Sequence, residues 1–209
     1  MPARDVFLIR HAESEWNAIG RWQGMANIGL TERGHEQAQM LAATWEVPTV
    51  THLFASTLDR ARDTARPLAA KLQLPIVEDA DLCELDVGSW QGKTRAEIRA
   101  EDPDSLDAFF RGEQGWIGGE SYESHALRAE RFASRMAQLP DDASAVVVTH
   151  GGTLRAILLA LLEMDHTQRW RFSGASHVHR SHVQAGDHGY RLLAYNASVG
   201  TYNRQMETL

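Results

Sequence analysis

Ala145-Val146-Val147-Val148 is an unbroken apolar run that passes without a spacer into Thr149-His150-Gly151-Gly152. A run this short and this apolar suits a strand buried on both faces, and the segment after it reads as an apolar helix ending near Leu162. A strand buried on both faces needs helices above and below it, so it points to a mostly parallel sheet. The same pattern recurs along the chain. Val6-Phe7-Leu8-Ile9 reads as another buried strand, followed by a helix from Thr31 to Trp45 with Ala38, Leu41, Ala42 and Trp45 at helical spacing and Thr31 as its cap. His52-Leu53-Phe54-Ala55 reads as a strand leading to a helix from about Leu58 to Leu72, which Pro67 is expected to kink or restart. Ile76-Val77 makes a third strand, and Thr94-Arg95-Ala96-Glu97 matches a capping box opening a short helix. Ser121 to Leu139 forms a long helix with Ala126, Ala129, Phe132, Ala133 and Met136 on one stripe. Ser176 to Ala185 and Tyr190 to Tyr195 read as two strands joined by Gly186-Asp187-His188-Gly189. The expected architecture is α/β: a single three-layer domain over residues 1–209, with a mostly parallel sheet, helices on both faces and antiparallel additions near the end. Residues 93–120 are expected to form a small inserted cap.

With 43% of its 209 residues apolar and 23% charged, the chain can bury a sizeable core. Its 21 basic and 28 acidic side chains leave a formal −7, which argues against nucleic acid as a partner, since affinity for a polyanion comes from neutralising phosphates. Lys71 and Lys93 are the only lysines, so the cations are almost all guanidiniums, whose planar fork suits oxyanions. Cys83 is alone, which excludes an internal disulfide and a Cys-rich zinc site. The apolar runs Val6–Ile9 and Ala156–Leu162 fall far short of the roughly 20 residues of a membrane span. No targeting segment and no membrane partner are therefore expected, and the expected location is cytoplasmic.

Four strand ends carry polar or titratable side chains. The first strand ends in Arg10-His11, the second leads through Ser56-Thr57-Leu58-Asp59 to Arg60, the third precedes Leu82-Cys83-Glu84, and the Val-rich strand ends in His150. In an open α/β sheet, ligands bind outside the carboxyl ends of the strands, so these residues should meet in one pocket. His and Arg side chains around one point make a cationic hole in an otherwise acidic protein, with Glu84 at its rim. Such a hole suits a phosphoryl group. No metal cluster or Walker loop is evident to activate water, whereas a neutral imidazole is itself a competent nucleophile with an ordinary pKa near neutrality.

Leu8-Ile9-Arg10-His11-Ala12-Glu13-Ser14-Glu15-Trp16-Asn17 closely resembles the opening motif of the histidine phosphatase superfamily, also called phosphoglycerate mutase-like. Further matches run in family order: Ser56-Thr57-Leu58-Asp59-Arg60-Ala61-Arg62-Asp63-Thr64-Ala65, Glu84 to Gly92, Gly118-Gly119-Glu120-Ser121 and Val148-Thr149-His150-Gly151-Gly152. The resemblance implies that His11 attacks phosphorus and becomes phosphohistidine, and that Glu84 protonates the leaving alkoxide and then takes a proton from water. It implies that Arg10, Arg60 and His150 surround the phosphoryl oxygens, with Asn17 as a further donor and Ser14 as a secondary contact. A cationic His150 would favour the anionic transition state, and free N–H groups of the helix opened by Gly151 and Gly152 would add positive potential. Gly20-Arg21-Trp22-Gln23-Gly24 and Leu30-Thr31-Glu32-Arg33-Gly34 resemble the broad-specificity phosphatase branch, which adds Gln23 and Gly24 to the substrate-binding set. Ala12 stands where the family usually has Gly and is expected to be tolerated, because the backbone carbonyl is kept. Asn27 and Gly29 replace the Asp and Pro common in that branch, which bears on loop rigidity.

A mutase needs a second anion site, and residues 93–120 carry more acidic than basic side chains, so an acidic cap should not cradle a second phosphate. Phe109, Phe110, Trp116 and Ile117 are expected to line an apolar or sugar-like leaving-group pocket, with Trp16, Trp22 and Trp90 at its mouth. Trp45 and Trp170 are expected to pack, and Cys83 to be inert and buried. His177, His179, His182 and His188 would put His177 and His179 on one strand face. No carboxylate or Cys is spaced to complete a metal site there, so no metal and no cofactor are expected. The expected activity is hydrolysis of small phosphomonoesters through phosphohistidine on His11. A cofactor-dependent phosphoglycerate mutase is the alternative enzyme, and a catalytically silent phosphate-binding regulatory module the non-enzyme alternative. The partner expected is a small phosphate ester. A homodimer is compatible with the sequence, which carries no signature of assembly.

Overall fold

In the computed structural model, which describes residues 4–47 and 49–199, strands and helices alternate along most of the chain. Their order is β1 (Asp5–Arg10), α1 (Glu15–Ala18), α2 (Glu32–Ala43), β2 (His52–Ser56), α3 (Asp59–Leu72) and β3 (Ile76–Asp79). There follow α4 (Arg95–Glu101), α5 (Pro103–Phe110), α6 (Tyr122–Ala137), β4 (Ser144–Thr149), α7 (Gly151–Leu161), β5 (Arg180–Gly186) and β6 (Gly189–Ala197). Short 3-10 turns occupy Ala80–Leu82, Gly88–Trp90 and His166–Arg171. The six strands form one sheet in the order β3-β2-β4-β1-β5-β6. The first four are parallel, and β5 and β6 extend the sheet antiparallel.

Side chains of a strand alternate between faces, and β1 shows why its run is apolar throughout. Val6 and Leu8 pack with Ala145 and Val147 against α6 and α7, through Phe132, Met136, Leu154 and Leu158. Phe7 and Ile9 pack with Val146 and Val148 against α2 and α3, through Leu41, Ala61, Ala65 and Leu68. The expected three layers are thus built by period-2 alternation of a strand with no polar face. Residues 93–120 contribute to a separate small core: Ile98, Leu106 and Trp116 pack with Leu85, Val87 and Trp90, and Trp22 and Phe109 lie against them.

The expected caps form. Thr31 accepts a hydrogen bond from the Gly34 amide at 2.9 Å, and Thr94 and Glu97 make a reciprocal capping box. Pro67 does not restart α3, which runs from Asp59 to Leu72 with the proline inside it. Buried Ala61, Thr64, Ala65 and Leu68 pin this helix to the sheet, and that packing overrides one missing donor. The last hairpin turns at Gly186–Gly189 as expected, but β5 begins at Arg180, so His177 and His179 precede the strand instead of sharing a strand face. There the Val178 amide donates to the Arg10 carbonyl, and the His179 amide bonds back to the Ser176 carbonyl. Residues 200–209 lie outside the described part of the expected domain. No helix among the described residues is long and apolar enough to cross a membrane.

Gly34 is required by contact. A Cβ built there would lie 2.0 Å from the Glu13 carbonyl oxygen, in the segment that leaves β1. Gly34→Ala must therefore push α2 away from that segment, at an expected cost of about 1–3 kcal/mol in denaturant unfolding. An unchanged midpoint would show that the segment gives way freely.

Candidate active site

Register brings the predicted residues together. Arg10 at the end of β1 pairs with Thr149 at the end of β4, and Ala55 on β2 pairs with Val148. His11, Ser56 and His150 each stand at the carboxyl end of one of three adjacent strands. The His11 and His150 rings lie 5.0 Å apart. In front of them opens a cavity of about 650 Å³, lined by Arg10, His11, Asn17, Gln23, Gly24, Arg60 and Glu84 among the predicted residues. Ser14, His150 and Gly151 do not line it.

His11 is buried, and its Nδ1 lies 2.6 Å from the Ala12 carbonyl oxygen. That contact requires Nδ1 to carry the proton, which leaves the Nε2 lone pair free. Burial, reinforced by the Arg60 and Arg10 guanidiniums, holds the imidazole well below its usual pKa, so it is neutral at neutral pH. Ala12 has no positive φ, and its amide donates to Thr64 Oγ1 at 2.9 Å, so the residue is accommodated without backbone strain. The His177 Nδ1 sits 2.9 Å from the His11 carbonyl oxygen, which explains that histidine without a metal ion.

Arg60 is fully buried and held on three sides. Its Nε donates to His150 Nδ1 at 3.1 Å, Nη1 to the Ala26 carbonyl at 2.6 Å and Nη2 to the Gly24 carbonyl at 2.9 Å. Burial brings this guanidinium down to about 10, so it remains charged at neutral pH. Because Arg60 can only donate, His150 Nδ1 must accept, and Nε2–H then points to Ser56 Oγ at 2.8 Å. Burial and the Arg60 charge hold His150 well below its usual pKa. The expectation of a cationic His150 is thus corrected: it is a neutral ring that orients Arg60 and takes a second bond from β2.

Glu84 overturns a second expectation. The Gly152 and Thr153 amides at the start of α7 donate to its carboxylate at 3.1 and 3.2 Å, and the Leu85 amide adds a third bond at 2.9 Å. The helix N-terminus therefore holds Glu84 and is not free to bind phosphate. A Cβ at position 152 would lie 2.5 Å from Glu84 Oε1, so glycine there is what admits the carboxylate. Burial pushes the Glu84 carboxyl up, but nearby His125, the amide donors and Arg60 outweigh it and leave the pKa below the usual value. His125 is itself held down to about 3 by burial and Arg128, so at neutral pH it is uncharged and the amides and Arg60 carry the effect.

The loop bearing Glu84 is fixed by residues the sequence reading did not select. Arg128 donates to the Asp81, Cys83 and Glu84 carbonyls at 2.8, 2.7 and 3.0 Å, and its guanidinium pairs with both oxygens of Glu120. Thr153 Oγ1 donates to the Cys83 carbonyl at 2.6 Å and lies 3.0 Å from His125 Nε2. A His and an Arg near the apolar stripe of α6 were the available signal. Cys83 is buried beside the Ser56 and Thr57 hydroxyls.

Ser14 is buried behind the cavity. It caps α1 and lies 2.9 Å from Asn17 Oδ1 and 2.7 Å from Gln23 Oε1, which leaves the amide nitrogens of Asn17 and Gln23 as the groups available to a ligand. Asn27 and Asp59 bond reciprocally, at 2.7 and 2.8 Å, and tie the loop after α1 to the start of α3.

Trp22, Phe109 and Trp116 line the cavity as expected, joined by Leu85, Val87 and Tyr122. Phe110 and Ile117 are largely exposed, and Trp90 is buried behind the wall. Trp16 packs against Gly92, and Trp170 is 45% exposed with its ring beside Phe109. The acidic composition of residues 93–120 does not carry over to the cavity wall. Their carboxylates pair outward, Glu97 with Arg21, Glu101 with Lys93, Asp107 with Arg99 and Glu113 with Arg111. Arg95 of the cap instead faces the cavity, together with Arg21 and Arg155, which the sequence reading did not select. Composition gave the sign of the cap, but ion pairing decides which charges the cavity meets.

Comparison with known proteins agrees with this geometry. The chain is 34% identical to a metal-independent phosphoserine phosphatase of Arabidopsis thaliana, across 207 residues covering 96% of this chain and 86% of that protein. An adenosylcobalamin/α-ribazole phosphatase of Escherichia coli is 31% identical over 169 residues, covering 80% of this chain and 83% of that protein. The solved structure of a mycobacterial glucosyl-3-phosphoglycerate phosphatase superimposes with a TM-score of 0.84 at 29% identity, covering 94% of this chain and all of that one. The family model described as histidine phosphatase superfamily, branch 1, matches residues 6–198, so the chain belongs to that family.

Proposed function

We propose that this protein is a phosphatase of small phosphomonoesters that works through a phosphohistidine on His11. The observation that carries the reading is the state of that ring: neutral, with Nδ1–H fixed on the Ala12 carbonyl and Nε2 free beside Arg10 and Arg60. The phosphatase names of its relatives support it. In the first step Nε2 attacks phosphorus while Arg10, Arg60 and the Asn17 amide take the phosphoryl oxygens. Glu84 is ionised in the free protein, and a phosphoryl dianion arriving beside it disfavours that charge. A proton is then retained between the two anions, and Glu84 delivers it to the departing oxygen. In the second step the carboxylate removes a proton from water, which attacks phosphorus and frees His11. The single cysteine has no internal partner, which fits a reducing compartment, and we place the protein in the cytoplasm.

Glu84→Gln tests both roles. Loss of the acid should lower kcat/KM for an alkyl phosphate by about 10²–10⁴-fold. For p-nitrophenyl phosphate, whose leaving group needs no proton, the loss should stay below about tenfold. Loss of the base should leave acid-labile phosphate on His11 after rapid quenching with p-nitrophenyl phosphate. Equal slowing of both substrates would remove Glu84 as the acid, and no labelled histidine in either protein would remove the covalent route.

A further inference from the structure

Arg128 commits every donor it has to the surroundings of Glu84. A guanidinium carries five N–H groups in one plane, and here all five are used. Nη1 donates to the Asp81 and Cys83 carbonyls, Nη2 to the Glu84 carbonyl and Glu120 Oε2, and Nε to Glu120 Oε1. Both side chains of the Arg128–Glu120 pair are mostly buried. Glu120 carries the hold past Glu84, because its amide donates to the Asp86 carbonyl at 2.9 Å. Thr149 Oγ1 adds a bond to the Leu82 carbonyl at 2.7 Å. Residues 83–87 belong to no helix or strand, so their carbonyls find partners one by one on other elements.

Neither Arg128 nor Glu120 lines the cavity. They hold the main chain of Glu84, while the α7 amides of Gly152 and Thr153 hold its carboxylate. The two attachments come from different helices, and only together do they fix the carboxyl oxygens. Because Glu120 neutralises Arg128 at 2.8 Å, the pair contributes geometry and little net charge. Geometry is what general-acid transfer depends on: the carboxyl must reach the ester oxygen, and an error of about 1 Å can cost about 10²-fold.

Resting on the phosphatase reading, we propose that Arg128, with Glu120 as its counter-ion, is a positioning residue for proton transfer by Glu84. It governs how well the protein expels poor leaving groups without touching the substrate.

Lysine at this position keeps the charge but offers a single nitrogen, which cannot span three carbonyls and a carboxylate. In Arg128→Lys, kcat/KM for phenyl phosphate should fall by about 10- to 100-fold. For p-nitrophenyl phosphate, whose leaving group needs little help from an acid, it should fall by less than about threefold. The two esters share one ring and are measured on one preparation, so the fraction folded does not move their ratio. In a Glu84→Gln background the same change should alter the ratio by less than about twofold, because the group being positioned is gone. Glu120→Gln leaves the three carbonyl bonds but removes the counter-ion, and should shift the ratio in the same direction by about threefold or more. It carries the test alone if Arg128→Lys yields no folded protein. Equal slowing of both esters, or a shift in ratio that persists in Glu84→Gln, overturns the proposal while leaving the phosphohistidine route standing. A Glu84→Gln protein that itself slows both esters equally would instead remove Glu84 as the acid, and this inference with it.

Discussion

Replacing His11 by Asn is expected to reduce turnover of every phosphate ester to background, a loss of roughly 10⁴-fold or more. The Asn amide nitrogen can occupy the place of Nδ1 and donate to the Ala12 carbonyl, so the local hydrogen bond is replaceable. What it cannot supply is the basic lone pair of Nε2, since an amide nitrogen is not nucleophilic. Arg10, Arg60 and the Asn17 amide are untouched, so inorganic phosphate should still bind within about tenfold of the wild-type affinity. The combination of lost turnover and retained anion binding separates a chemical role from a structural one. Residual activity above about one per cent of wild type would show that water attacks the ester directly.

Much of this arrangement is legible in the sequence because strand ends and candidate site residues coincide. Arg10-His11 and His150 are contiguous with apolar runs that can only be central strands, so placing the strands places the residues. Arg60 follows from the segment after β2 and Glu84 from the segment after β3. Less legible is everything decided by which atom bonds to which. The α7 N-terminus looks like a phosphate site until Glu84 is seen to occupy its amides. His150 looks like a cation until Arg60 is seen to donate to it. α1 is only four residues long and is set by a Ser14–Asn17 capping box, a weaker pattern than the usual Ser or Thr with Glu. Arg155 had a usable signal, since it lies four residues after Gly151 and therefore on the same helical face. Arg128 had only its place beside the apolar stripe of α6, because a clamp on three loop carbonyls depends on how α6 packs against residues 81–84.

Three buried neutral histidines make a strong prediction about acid. His11, His125 and His150 are 2%, 4% and 0% exposed. Burial is the largest cause in each case, followed by nearby guanidiniums, and it places all three below the ordinary value, His125 at about 3. In the unfolded chain each titrates near 6.5. Below that pH the unfolded chain binds protons the folded protein refuses, so stability present above 6.5 is lost as pH falls. Once the unfolded histidines are fully protonated, each contributes about 1.4 kcal/mol per pH unit, or about 4 kcal/mol per unit for the three together. For a domain with an ordinary stability of about 5–15 kcal/mol, two pH units of this slope bring unfolding within reach. Denaturant unfolding at pH 7, 6 and 5 should show uptake of at least about three protons at the acid end of the series, with the half-buried His177, also held below its ordinary value by burial and Arg10, adding to it. Removing His125 tests the assignment, because its ring lies behind Glu84, 3.0 Å from Thr153. His125→Gln should lower the uptake by one proton whatever its effect on stability at pH 7. A stability that stays level from pH 7 to pH 5 would mean that these rings are protonated in the folded state, and the neutral nucleophile would fall with them.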